Sequence, residues 1–189
     1  MIPGSAPTTG CLLVATPPLG DPNFDRTVVY VLEHNDDGVL GVVLNRPSPE
    51  QLREPLDRWI SLQSGPPQVF EGGPVEPDAL IALARTTEQL DEPDEYLAPL
   101  AGTIASADLA SDPTLVAGSI DRLRVFRGYA GWGPGQLEGE IEAGAWVVVD
   151  TEPSDLFTGE PDGLWRAVLR RQPGRLSWLA TAPDDLMLN

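Results

Sequence analysis

"RGYAGWGPGQLEGE", residues 127–140, sets glycines at 128, 131, 133, 135 and 139 around Trp132. Two readings of this run lead to two different folds. In a dinucleotide-binding βαβ unit, glycines between strand and helix admit a pyrophosphate. The helix N-terminus then holds it, and an acid at the end of the next strand takes the ribose. Glycines also let a strand turn sharply into a helix and let backbones pass close to each other.

The flanks supply the right elements for either reading. "RLRVFRGY" (122–129) is a strand pattern, a helix is expected over 134–143, and "AWVVVD" (145–150) is a strand ending in Asp150. Gly133, Gly135 and Gly139 form G-x-G-x-x-x-G, one residue off the dinucleotide spacing. Three features oppose a nucleotide. The unit comes late in the chain, and its helix has only about three turns with Gly139 in the middle. Glu138, Glu140 and Glu142 also crowd the place a phosphate would occupy, with Arg127 offsetting part of that charge. The structural reading needs less: Gly133 and Pro134 suit a helix start, Gly144 its end, and Leu137 and Ile141 form its inward face. The run is therefore read as a bend, and no cofactor is expected.

Outward from this run, the clearest unit is a hairpin. "CLLVAT" (11–16) is a short strand, and "DPNFDR" (21–26) is a turn opened by Asp21. "TVVYVLEH" (27–34) and "VLGVVLN" (39–45) are β-branched runs joined by "NDDG" (35–38), whose residues tolerate a left-handed turn. "SPEQLREPLDRWI" (48–60) has helical spacing of Leu52, Leu56, Trp59 and Ile60, broken at Pro55. "QVFEGGPV" (68–75) is a strand running into a turn, and "DALIALAR" (78–85) fits helix or strand. Residues 86–99 form an acidic, proline-bearing mobile surface loop on this reading. A strand follows at 101–108, a short helix at 112–119 and an amphipathic helix at 162–172. The tail packs Trp178 and Leu179 and then frays, and residues 1–9 are a loose lead. Hairpins mixed with scattered helices predict a single α+β domain over 1–189 with a mixed or antiparallel sheet.

Composition removes several activities. The 189 residues carry a net charge of −17 and a pI near 4.1, which repels nucleic-acid phosphates and anionic membrane surfaces. There is no lysine, since all 12 basic residues are arginine. A Walker A loop, a kinase strand lysine, a Schiff-base enzyme and a pyridoxal enzyme are thereby excluded. Cys11 is the single cysteine and His34 the single histidine, so neither an internal disulfide nor a Cys/His zinc site can form. No calcium-loop pattern occurs. The first residues lack a signal-peptide pattern, no apolar run approaches membrane-spanning length, and a cytoplasmic location is expected.

Three segments resemble the YqgE/AlgH family: "LLVATPPLGDPNFDRTVVYVLEHNDDGVLGVVLNRP" (12–47), "EGGPV" (71–75) and "GYAGWGPGQLEGEIEAGAW" (128–146). Their order and spacing agree with the family over nearly the whole chain, departing in the loop 86–100 and the tail. The resemblance implies one α+β domain whose curved sheet closes toward a barrel. Its members are often labelled transcriptional regulators, a label that identifies neither a DNA-binding element nor a reaction.

The candidate residues gather at the hairpin and the glycine run. His34 is a general base or a turn-fixing ring bonded to a loop carbonyl. Asp21, Arg26, Asn35, Asn45 and Arg46 surround the hairpin, and Arg26 or Arg46 could clasp a carboxylate or phosphate. The resemblance places all five in family motifs. Trp132 and Gln136 join them, Trp132 first of all as a core plug. Arg166, Arg170, Arg171 and Arg175 complement a helix C-terminus and acidic neighbours, or form a nucleic-acid patch without the usual aromatic interleaving. The leading expectation is a non-enzymatic regulator that binds a partner protein or a small anionic ligand. A small hydrolase using His34 with Asp21 is the alternative, followed by direct DNA binding.

Overall fold

Strands covered on both faces read as unbroken apolar runs, because period-two alternation then sends every side chain into one core or another. The computed structural model describes residues 7–17, 19 and 21–181. Within it β1 (Leu12–Ala15), β2 (Val28–Asn35) and β3 (Gly38–Val43) lie side by side. Leu12, Val14, Val28 and Tyr30 enter one buried cluster, and Leu13, Ala15, Val29 and Val31 enter a second on the opposite face. β2 and β3 are the expected hairpin, with Asn35 paired to Gly38 across Asp36 and Asp37.

The other strands are β4 (Val69–Glu71), β5 (Val75–Thr86), β6 (Leu97–Ala101), β7 (Ile104–Ala107), β8 (Ile120–Trp132) and β9 (Trp146–Val149). They join in the order β6-β7-β5-β8-β3-β2-β1-β9, with β4 beside β8 off that path. All pairings are antiparallel except β4 with β8. The sheet curls into a half barrel, and the fold is α+β, as expected. "DALIALAR" is strand, inside β5.

The glycines of the opening stretch work at a crossing of backbones. β8 runs beside β4 through Arg127 and joins β3 from Ala130 onward. The change of neighbour centres on Gly128, whose φ is +67°. A Cβ there would sit 2.5 Å from the Gly73 carbonyl oxygen, and one on Gly72 would sit 2.3 Å from that of Gly128. The close approach is fastened by Gly72 N donating to Arg127 O at 2.7 Å and Val43 N donating to Gly72 O at 2.8 Å. The hairpin, "EGGPV" and the glycine run therefore meet at one point, where any side chain would push two backbones apart.

α1 (Gln136–Glu142) follows, with Leu137 buried, Gly135 preceding it at φ +73° and Gly144 just beyond its end at φ +79°. It begins two residues later than Pro134. α2 (Leu164–Arg170) buries Leu164, Trp165, Val168 and Leu169 against the first cluster, and Trp165 Nε1 donates to Ala15 O at 2.8 Å. α3 (Leu176–Leu179) packs on α2.

Five sequence expectations fail or are cut short. The strand expected over 101–108 breaks at a turn over 102–103 between β6 and β7, and the helix expected over 112–119 shrinks to one 3₁₀ turn, Pro113–Leu115. Residues 48–56 are not helical, because Ser48 N donates to Val69 O and Val69 N to Glu50 O, which binds the segment to the start of β4. Only Asp57–Leu62, beyond Pro55, coils, as a 3₁₀ helix that buries Trp59. The loop expected over 86–99 gives way to β6 from Leu97 onward. Leu97 is buried and pairs with Ala107, and Pro99 is tolerated because β6 is an edge strand. Trp178 is 73% exposed and does not pack, whereas Leu179 does. Residues 1–6 of the expected lead and 182–189 of the tail lie outside the described residues.

Candidate functional site

The eight candidate residues do not form one cluster: Asp21, Arg26, Asn45 and Arg46 lie at the base of the hairpin and His34 and Asn35 at its tip, while Trp132 ends β8 and Gln136 opens α1. Arg26 precedes β2 and His34 lies near its end, so they stand on the order of 20 Å apart along the strand. At the base, Asn45 is buried and both halves of its amide are used. Its Oδ1 accepts from Val28 N at 2.9 Å, and its Nδ2 donates to Arg26 O at 2.9 Å. This holds Arg26 in an unusual backbone state, φ +51°, with its guanidinium 5.5 Å from the centroid of the Trp165 ring. Arg46 Nη2 donates to the Asp25 carbonyl. Asp21 accepts from Asn23 N at 2.8 Å, a local turn bond. At this end Asn45, Arg46 and Asp21 hold backbone, while the Arg26 guanidinium faces a ring.

At the tip, His34 meets a carboxylate where a loop carbonyl was expected. Its Nε2 lies 3.0 Å from Glu138 Oε1 on α1. Asp21, which the hydrolase alternative names with His34, bonds instead to Asn23 N within its own turn. Asn35 accepts from Asp37 N at 2.8 Å, closing the turn, and donates to Glu33 at 2.7 Å.

Trp132 is the expected core plug, buried against Trp146 at 5.7 Å between ring centroids and against Phe24 at 6.0 Å. Glu140 binds this group: its Oε2 accepts from Trp132 Nε1 at 2.9 Å and from Trp146 Nε1 at 2.8 Å. Gln136 Nε2 donates to Glu140 Oε1 at 2.9 Å, and Gln136 Oε1 accepts from Gly133 N at 3.1 Å. The glycine run thus directs a backbone amide and its carboxylates to internal partners, with α1 seated on two tryptophans. Sequence reasoning missed Glu138 and Glu140 as partners. The one local signal was the i,i+4 spacing of Gln136 and Glu140.

Arg127 does not neutralise the α1 glutamates; it pairs with Glu71 at 2.7 Å and Glu50 at 3.0 Å. In the C-terminal arginine cluster, Arg171 forks onto Asp155 at 2.7 and 2.6 Å and lies 3.5 Å from Glu152. The Asp155 hydrogen bonds raise the Arg171 pKa. Arg170 sits in the last turn of α2. These placements follow the charge-balancing reading.

Beside the tip lies an open cleft of about 420 Å³, lined by Glu33, Asn35, Asp37, Val39, Tyr129 and Trp132 among others. Tyr129 Oη donates to Glu76 at 3.1 Å. No helix among the described residues is long and apolar enough to cross a membrane.

Residues 12–177 match the model of a family described as AlgH-like. A UPF0301 protein of Streptomyces avermitilis is 49% identical over 96% of this chain and 95% of its own. A UPF0301 protein of Mycobacterium tuberculosis is 46% identical over 95% of this chain and 90% of its own. A crystal structure from Corynebacterium diphtheriae superposes with a TM-score of 0.88 at 30% identity, covering 94% of each chain. The solution structure of the AlgH protein from Pseudomonas aeruginosa gives 0.67 at 30% identity, covering 96% of this chain and 98% of that one.

Proposed function

This chain belongs to the AlgH-like family, and from that premise we propose that it acts by binding a protein partner, without catalysis, in a regulatory role. One observation carries the reading. The cleft of about 420 Å³ beside Trp132 sets the carboxylates of Glu33 and Asp37 around an apolar surface of Val39, Leu40, Val75 and Tyr129. A chain of net charge −17 attracts a basic partner to such a surface and repels nucleic acid.

The rival readings have less support. A small anion at Arg26 and Arg46 would have to compete with the contacts those side chains make to Trp165 and the Asp25 carbonyl. Hydrolysis by His34 and Asp21 would need two groups whose hydrogen bonds go elsewhere, to Glu138 and Asn23.

A photo-crosslinking residue at Asn35 in the full chain tests the proposal in cells. The expected result is capture of a specific protein that is lost in Glu33→Arg/Asp37→Arg with the melting temperature unchanged. Capture that survives the charge reversal, or hydrolytic turnover abolished by His34→Ala in a stable protein, contradicts it.

A further inference from the structure

A second hollow, of about 710 Å³, lies far from the hairpin tip in the fold, between the segment 61–66, the start of β8, and Phe157 and Gly159. Its volume falls within the range of small-molecule sites. Its walls are fixed by one residue. Arg124 is 1% exposed and donates through Nη2 to Gly65 O at 2.9 Å and Thr158 O at 2.8 Å, and through Nη1 to Leu156 O at 3.1 Å. Its guanidinium lies 4.1 Å from the centroid of the Phe70 ring. Burial lowers its pKa to about 10, which leaves it charged at neutral pH. A single buried cation thereby ties the 65 side of the hollow to the 156–158 side.

The segment 61–66 is itself well placed. Gln63 bridges to Leu123 in parallel, and Ser64 N donates to Leu123 O at 2.8 Å, continuing the line of β4 along β8. Its backbone is anchored while its side chains are not satisfied. Gln63 Nε2, Gln63 Oε1 and Ser64 Oγ are all buried and find no partner among the described residues. Buried polar groups are nearly always hydrogen-bonded, so a carboxamide with neither half paired stands out as a group prepared for a partner from outside the fold.

We propose that this hollow binds a small neutral molecule bearing a cis-amide or amidine edge, read by the carboxamide of Gln63. A carboxamide sets a donor and an acceptor side by side in one plane, which matches such an edge through two parallel hydrogen bonds. Binding entails rotation of the Gln63 carboxamide about its side-chain torsions, from its sealed position toward the hollow the residue lines. Ser64 Oγ, sealed beside it, would add a third polar contact on turning the same way, and Leu62, Ile120 and Phe157 supply apolar faces for a flat ligand. A neutral ligand fits because the two charged lining residues, Asp121 and Arg122, carry opposite signs and stand beside each other. Asp121 is forked by Arg85, and Arg122 Nη1 donates to Asp121 O. This site is separate from the cleft beside Trp132 and does not depend on the function proposed there.

The test is an NMR titration of the full ¹⁵N-labelled chain with adenosine, uridine and 2-pyrrolidinone as probes, which separates nucleosides from simple lactams. At least one probe is expected to shift the Gln63 side-chain NH₂ signals and the amides of residues 61–66 saturably. Gln63→Met, of similar volume, should abolish that response and keep or raise the melting temperature. Ser64→Ala should weaken binding about three- to tenfold. The proposal is overturned if no probe moves these signals at millimolar concentration, or if the response survives Gln63→Met. It is equally overturned if Gln63→Met unfolds or markedly destabilises the chain, since the carboxamide would then belong to the scaffold.

Discussion

Two carboxamides are held inside this protein, at Asn45 beneath the hairpin and at Gln63 beside the larger hollow. Asn45 gives each half of its amide to the backbone, joining Val28 N to Arg26 O. The Gln63 carboxamide has both polar atoms buried as well, and neither finds a partner among the described residues. A buried amide with both bonds made is part of the frame, because its removal strands the groups it served. One with neither bond made contributes a desolvation cost and no compensation, so its removal should cost little. Arg46 and Asp21 at the base of the hairpin likewise hold backbone, which directs the search for binding away from that end and toward the hairpin tip and the larger hollow.

Substitutions can break or sharpen that contrast. Asn45→Leu leaves a buried N–H and a part-buried carbonyl unpaired and should cost about 2–4 kcal/mol, read by chemical denaturation. Gly128→Ala probes the backbone crossing beside the same hairpin. With φ at +67° and the Gly73 carbonyl 2.5 Å from the new Cβ, a loss of about 2–3 kcal/mol is expected. A neutral result there would mean that the strands can separate without cost. Glu140→Leu removes the shared acceptor of Trp132 and Trp146 and should cost about 1–2 kcal/mol, with a change in tryptophan emission as α1 loosens.

A smaller effect is expected at the surface. The hydrogen bonds from Arg85 hold the Asp121 carboxyl below its ordinary pKa. A carboxyl lowered in the folded state stabilises above its unfolded pKa of ~3.9 and loses that contribution as pH falls through the folded value. Arg85→Ala should therefore flatten acid unfolding below about pH 4 and change stability at neutral pH by less than ~1 kcal/mol, because the pair is substantially exposed.

Local chemistry made part of this legible in the sequence. The hairpin follows from β-branched runs around "NDDG", and α2 from its apolar spacing, because each signal lies within a few residues. The glycine run is legible as a bend, though its partners Gly72 and Gly73 lie more than fifty residues away and only the fold brings them together. The segment 48–56 looked helical because leucines at helical spacing do not reveal that its backbone is taken by Val69. β6 is masked by Pro99 within it, which an edge strand tolerates, and by the acidic run from Glu88 to Glu95 just before it. At the candidate site, sequence selected Asn45 and Trp132 but not Glu138 or Glu140, whose partners come from other elements. Gln63 carries no local signal, since its isolation is a property of three separate segments held by Arg124.

Thermal melting of Asn45→Leu and Gln63→Met beside the parent chain tests the central contrast most directly. The account predicts that Asn45→Leu melts roughly 5–15 °C lower, whereas Gln63→Met melts at the parent temperature or above it. A Gln63→Met that falls as far as Asn45→Leu, or an Asn45→Leu that does not fall, would contradict it.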